Sequence, residues 1–248
     1  MALPETFRVA APPLRGPRIF GQQWRDLAFL HWSIPPELVT RFMPAGVRPD
    51  ELNGRTYVGL IPFHMRKAGI ADFPTPYLGD FAETNVRLYS VDDEGRHGVV
   101  FLSLEASRFF TALCARFGYG LPYTWAHMRI GRRGTRMRYV SRRRWPERGL
   151  SSAVTVDIGE RIAHPSDLEH FLTARWGLHA RLAGRTVWHP NSHVPWKLHR
   201  ATLVALDDDL VGAVGVDVTG PPDVPVMWSS GVHTIFGPPQ TLTPAARP

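Results

Sequence analysis

Apolar and polar residues alternate in short runs along most of the chain, and proline or glycine breaks the runs every few residues. Alternation with a period of two sends successive side chains to opposite faces of a strand, so the pattern predicts a sheet protein. Strands are expected near Asp26 to Trp32, Thr56 to Met65, Thr84 to Val91, Gly98 to Glu105, Tyr123 to Ile130, Arg136 to Ser141, Ser152 to Ile158, Val187 to Leu198 and Val226 to Phe236. Three short helices interrupt them. One opens at Pro35-Pro36-Glu37 and ends by Met43-Pro44, because proline suits a first turn but not an interior. A second covers Ala106 to Phe117, closed by Gly118, and a third runs from Pro165-Ser166-Asp167 to Trp176 with acidic residues in its first turn. Leu206 to Val214 is a candidate for a fourth. No repeat, low-complexity stretch or internal linker divides the chain, so residues 1–248 are expected to form one domain with loose ends over 1–18 and 238–248.

Two of these strands flank Asp92-Asp93-Glu94-Gly95-Arg96, an acidic turn with glycine, and are expected to form a hairpin. One face carries Val86, Leu88, Val100, Leu102 and Leu104; the other carries Glu83, Asn85, Arg87, Tyr89, Phe101, Ser103 and Glu105. With Arg87 opposite Phe101, strict alternation sets Glu83 opposite Glu105. Two adjacent carboxylates cannot both ionise easily, so one pKa would rise and leave a general acid near neutral pH. The polar face either meets water or, given the aromatic residues among its charges, lines a ligand cavity.

Composition narrows the class. The hydrophobic fraction of 44% and eight tryptophans supply a packed core, and a charged fraction of 21% with mean hydropathy −0.17 argues against disorder. The first residues show no basic-then-apolar leader, and no apolar run is long enough to span a bilayer, so a cytoplasmic protein is expected. The single cysteine, Cys114, excludes an internal disulfide and lies in an apolar context that suits inert core. Net charge is +7, almost wholly from arginine, since Lys67 and Lys197 are the only lysines. The densest basic stretch, Arg132 to Arg144, reads as a hairpin with Tyr139 and Trp145 as stacking partners. It is either a solvated basic hairpin or a surface for nucleic acid or an acidic partner.

Several blocks resemble one family. Phe29-Leu30-His31-Trp32-Ser33-Ile34-Pro35-Pro36, Gly54-Arg55-Thr56-Tyr57-Val58-Gly59-Leu60-Ile61-Pro62-Phe63-His64-Met65-Arg66 and Glu83-Thr84-Asn85-Val86-Arg87-Leu88-Tyr89 are similar to the signature blocks of the YqjF-like family. Tyr119-Gly120-Leu121-Pro122-Tyr123 and His193-Val194-Pro195-Trp196 continue the order. The resemblance implies a mainly β, α+β fold related to acetoacetate decarboxylase, with a curved antiparallel sheet forming a cone or barrel around a central cavity. Decarboxylases of that fold use a Gly-Tyr-Pro-Lys-Lys segment to supply a Schiff-base lysine. The corresponding segment here is Gly120-Leu121-Pro122-Tyr123-Thr124, without lysine, so acetoacetate decarboxylase activity is expected to be absent. Glu83 resembles a cavity glutamate of those enzymes.

These residues define a candidate site for a small organic molecule, anionic or carbonyl-bearing. Glu83, Glu105 and Tyr123 are candidates for acid-base work; Asn85, Arg87, Arg108, Tyr119, His193 and Trp196 are candidates for binding. Lys197 is a possible substitute amine if His193, Pro195, Lys197 and His199 share a strand face, although a solvated lysine explains it as well. His189 and His193 are four apart, but Pro190 and Pro195 preclude the helix that would aim both at a metal, and no metal or cofactor motif is present. Nucleic acid is the alternative partner, no membrane partner is expected, and the oligomeric state stays open.

Overall fold

Period-two alternation does produce strands, and in the computed structural model they are longer and more numerous than expected. The structure describes residues 8–70, 73–75 and 78–242. Its strands are β1 (Phe20–Ile34), β2 (Val47–Pro49), β3 (Thr56–Ile70), β4 (Phe73–Pro74), β5 (Phe81–Asp92), β6 (His97–Ala106), β7 (Tyr123–Arg133), β8 (Arg136–Trp145), β9 (Ser151–Arg161), β10 (Gly177–Leu182), β11 (Arg185–His193), β12 (Leu198–Asp208), β13 (Met227–Phe236) and β14 (Gln240–Thr241). The helices are α1 (Phe109–Tyr119), α2 (Asp167–Thr173) and the single turn α3 (Leu210–Ala213). None is long and apolar enough to cross a membrane.

All the strands join one large curved sheet, antiparallel except where β6 pairs with β7 and β10. Nine strands close a ring in the order β6-β7-β8-β9-β12-β13-β1-β3-β5 and back to β6. A second ring shares β13, β1, β3, β5 and β6 and closes through β10 and β11, because β13 pairs with β12 at one end and β11 at the other. The shared strands therefore bury both faces. Leu30, Leu60, Val86 and Leu88 pack towards Met137, Tyr139, Val154 and Val156 inside the nine-strand ring. Phe29, Ile61, Phe63, Tyr89 and Leu104 face the other way, towards Phe171, Leu172 and Leu178.

Two glycines are required by geometry. Gly231 on β13 has φ +114, and a Cβ there would lie 1.8 Å from the Trp24 carbonyl oxygen. Gly120 ends α1 in the left-handed region, with φ +67 and the Arg181 carbonyl oxygen 2.3 Å from the site of a Cβ. The helix stop is thus Gly120 rather than Gly118, and its start moves to Phe109 because Ala106 still belongs to β6. The segment after Pro35 forms two 3-10 turns, Pro36–Leu38 and Thr40–Phe42, rather than one helix. The third helix is shorter than expected, held at its start by a reciprocal Ser166–Glu169 capping box. The expected strand Val187 to Leu198 is two strands, β11 and β12, parted around Pro195. The expected fourth helix forms only as the single turn α3, because residues 206–208 still belong to β12.

The hairpin of β5 and β6 forms with Arg87 opposite Phe101, but alternation does not continue unbroken. Leu102 is an extra residue, so the pairing resumes with Val86 opposite Ser103, Asn85 opposite Leu104, Thr84 opposite Glu105 and Glu83 opposite Ala106. One inserted residue sends every later side chain of β6 to the other face. Ser103 and Glu105 therefore lie on the face opposite Glu83, and the expected carboxylate pair does not exist.

Candidate functional site

Along β5, Glu83, Asn85 and Arg87 project from one face into the second ring, where they line a pocket of about 180 Å³. Tyr123 at the start of β7 reaches the same pocket, and Arg175, His189 and Asn191 enter from the β10–β11 side. The remaining wall is largely apolar and includes Trp24 and Trp196, whose rings stack with centroids 5.9 Å apart. The Trp196 indole nitrogen donates to the Thr173 carbonyl at 3.0 Å, which fixes the ring against α2.

Burial pushes the Glu83 carboxyl up to about 8, against the opposing pull of hydrogen bonds from Tyr123 and Asn85. Tyr123 Oη donates to Glu83 Oε2 at 2.9 Å, and burial followed by the neighbouring carboxyl drives the phenol well above its usual range. The raised pKa anticipated for a carboxylate pair is thus present, with desolvation as its cause. At pH 7 Glu83 keeps its proton and can donate it to an oxygen in the pocket.

Arg87 reaches the far part of this wall. Its Nε and Nη2 donate to Tyr89 Oη at 3.3 and 3.1 Å, and Nη2 also donates to the Leu172 carbonyl at 3.0 Å. Tyr89 Oη is in turn 2.7 Å from His31 Nε2. Burial, and then the Arg87 charge, hold His31 well below its ordinary pKa, so this deep imidazole is neutral. Arg175 bonds the Phe171 carbonyl at 2.6 Å and pairs with Asp50, which also meets His97 Nδ1 at 2.8 Å.

The other anticipated residues are distributed differently. His193 sits behind the pocket wall among Trp24, Trp176 and Trp196; its Nδ1 lies 2.8 Å from the Val194 carbonyl oxygen, and burial lowers its pKa to about 4. Arg108 precedes α1 and faces a separate cleft of about 440 Å³ that also includes His64 and His127. The side chains of Tyr119 and Cys114 lie outside the described residues. Glu105 is buried inside the nine-strand ring, where Arg143 Nη2 donates to it at 2.5 Å and Ser103 Oγ at 2.7 Å. Lys67 and Lys197 are both exposed and neither borders the pocket. His193 ends β11 and Lys197 lies in the break before β12, which removes the shared strand face.

The β7–β8 hairpin spends part of its positive charge internally. Arg143 is held by Glu105, Arg136 binds Asp157 at 2.7 Å, and Arg144 and Arg132 lie over the rings of Trp125 and Trp228. Sequence reasoning missed Trp24, Arg175, His189 and Asn191 as pocket residues. Arg175 and Asp50 are 125 residues apart, and only the closure of the second ring brings them together.

Comparison with known proteins agrees with this architecture. The model of a family of uncharacterised conserved proteins, DUF2071, matches residues 21–233. The chain is 28% identical over 200 residues to the uncharacterised protein YqjF of Bacillus subtilis, covering 80% of this chain and 82% of that protein. Among solved structures it is similar to acetoacetate decarboxylase from Legionella pneumophila, with TM-score 0.66, 11% identity, and 94% and 92% of the two chains covered. The enduracididine biosynthesis enzyme MppR complexed with pyruvate superposes with TM-score 0.64 at 14% identity, covering 93% and 92%. At such identities the structural likeness establishes the acetoacetate decarboxylase-like fold alone.

Proposed function

The chain belongs to the DUF2071 family, and we propose that it receives a small organic molecule, anionic or carbonyl-bearing, in the pocket walled by β5, with Glu83 as the acid facing an oxygen of that molecule. The observation that carries this is a carboxyl pushed up to about 8 by burial in a largely apolar pocket, held there by Tyr123. A neutral carboxylic acid donates a hydrogen bond where a carboxylate would repel a carbonyl oxygen, and it can hand over its proton as charge develops there. Tyr123 and Asn85 orient it. A fold neighbour complexed with pyruvate supports an occupant of this general size.

Imine chemistry finds no lysine among the described pocket residues, because an amine must enter the pocket to attack a carbonyl and both lysines are exposed away from it. Any turnover therefore runs through acid-base polarisation by Glu83 rather than through a Schiff base. A thermal-shift screen of small keto acids, hydroxy acids and aromatic acids, with Glu83→Ala alongside to remove the donor, tests the proposal. A stabilising compound whose effect is lost in the variant is expected. No hit, together with a salt-sensitive shift by short DNA or RNA, would overturn it in favour of the β7–β8 arginines.

A further inference from the structure

We infer that the occupant of this pocket is a small hydroxy monocarboxylate, its carboxylate set against Arg87 and its hydroxyl donating to Asn85. This deepens the proposed function and rests on it.

Charge leads to the carboxylate. Arg87 lines the pocket, yet among the described residues its hydrogen bonds go only to the uncharged oxygens of Tyr89 and Leu172, and Nη1 takes part in none of them. Among the described residues no carboxylate forms an ion pair with it. The other pocket cation, Arg175, is balanced by Asp50. His31 and His193, both acted on by the Arg87 charge, are neutral, and Glu83 keeps its proton at pH 7. The wall is left with one positive charge in a largely apolar surround. A half-buried cation without a counter-ion is costly, and a ligand monoanion removes that cost.

Unpartnered atoms lead to the hydroxyl. Asn85, buried between Glu83 and Arg87 on the same strand face, has an Oδ1 with no hydrogen bond among the described residues. An unsatisfied buried acceptor calls for a donor, which a carboxylate cannot supply and a hydroxyl can. The same hydroxyl can accept the proton of Glu83. Trp24 Nε1, a donor on another pocket-lining side chain, is likewise buried without an acceptor among the described residues.

Size and polarity set the rest. A dry cavity of about 150 Å³ accommodates benzene, so one of about 180 Å³ takes a slightly larger molecule. The apolar remainder of the wall suits an unbranched or branched alkyl body, which points to 2-hydroxy acids of about four to six carbons.

The test is calorimetric titration of the whole chain with straight and branched 2-hydroxy acids of that length, each beside its methyl ester and its deoxy acid. The acids should bind about tenfold to a hundredfold more tightly than the esters, and more tightly than the deoxy acids by about tenfold. Arg87→Met should bring acid down to the level of ester, and Asn85→Ala should erase the advantage of hydroxy over deoxy. Esters that bind as well as the acids would overturn the carboxylate assignment while leaving the pocket proposal standing. Deoxy acids that bind as well would overturn the hydroxyl. Binding by none of the acids, esters or deoxy acids would overturn this inference, and if the wider acid screen also fails, the proposed function falls with it. The ester and deoxy comparisons use the unaltered protein, so a variant that misfolds does not remove the test.

Discussion

A glutamine in place of Glu83 preserves the shape and the hydrogen-bonding groups of a protonated carboxyl but cannot ionise, so comparing the two proteins isolates one titration. The carboxyl ionises near its ordinary 4.5 in the unfolded chain and near 8 in the folded one. Below the lower value both states hold the proton and the native protein has its full stability from this group. Between the two values the unfolded state releases a proton that the folded state keeps, so stability falls as pH rises, by about 1.4 kcal/mol per unit. By pH 8 the loss is on the order of 4 to 5 kcal/mol, and above it both states are ionised and the loss levels off. Urea unfolding of both proteins at about pH 5 to 9 reads this directly, because every other group titrates alike in the two and cancels in the difference. The variant should gain steadily on the native protein up to about pH 8 and hold its lead beyond. A difference that stays flat across that range would refute the account of a buried, protonated Glu83.

Three further outcomes follow from the same geometry. Glu105→Gln leaves Arg143 buried without its counter-charge and should cost about 3 to 5 kcal/mol in urea unfolding, while ligand affinity in the pocket is unchanged; an affinity loss without a stability loss would contradict the placement of Glu105. Hydrogen bonds from His179 and Arg96 outweigh burial and hold Asp92 down at about 2, so this carboxylate adds stability above its ordinary 3.8 that is lost as pH falls towards 2. Asp92→Asn should flatten that acid limb by about 1 to 2 kcal/mol, allowing for screening, and an unchanged acid limb would count against it. Treatment with a keto acid and borohydride should add no mass to the protein, as judged by intact-mass spectrometry, whereas a stoichiometric adduct would reveal an amine nucleophile in the pocket.

Much of the architecture was legible because strand alternation is a local property. The hairpin of β5 and β6, its turn and the shared polar face of Glu83, Asn85 and Arg87 all follow from residues a few positions apart. That the chain has only two lysines was equally visible, and the structure leaves both exposed and away from the pocket. What escaped depended on single residues or on distant ones. Leu102 carries no mark that distinguishes a bulge from a regular strand position, yet it moves Glu105 to the opposite core. The β12 segment Leu198–Asp208 alternates between half-exposed and exposed positions rather than between apolar and polar residues, so its end resembled a helix. Arg175 and Asp50 meet only through ring closure across 125 residues, a contact with no local signature.

The most direct measurement is carbon-13 NMR of the Glu83 side-chain carboxyl, assigned by its loss in Glu83→Gln and titrated with and without a ligand from the acid screen. The account predicts a carboxyl that titrates near pH 8 in the free protein and whose resonance moves when ligand is added. A carboxyl that titrates near its ordinary 4.5, or one that no bound ligand perturbs, would contradict it.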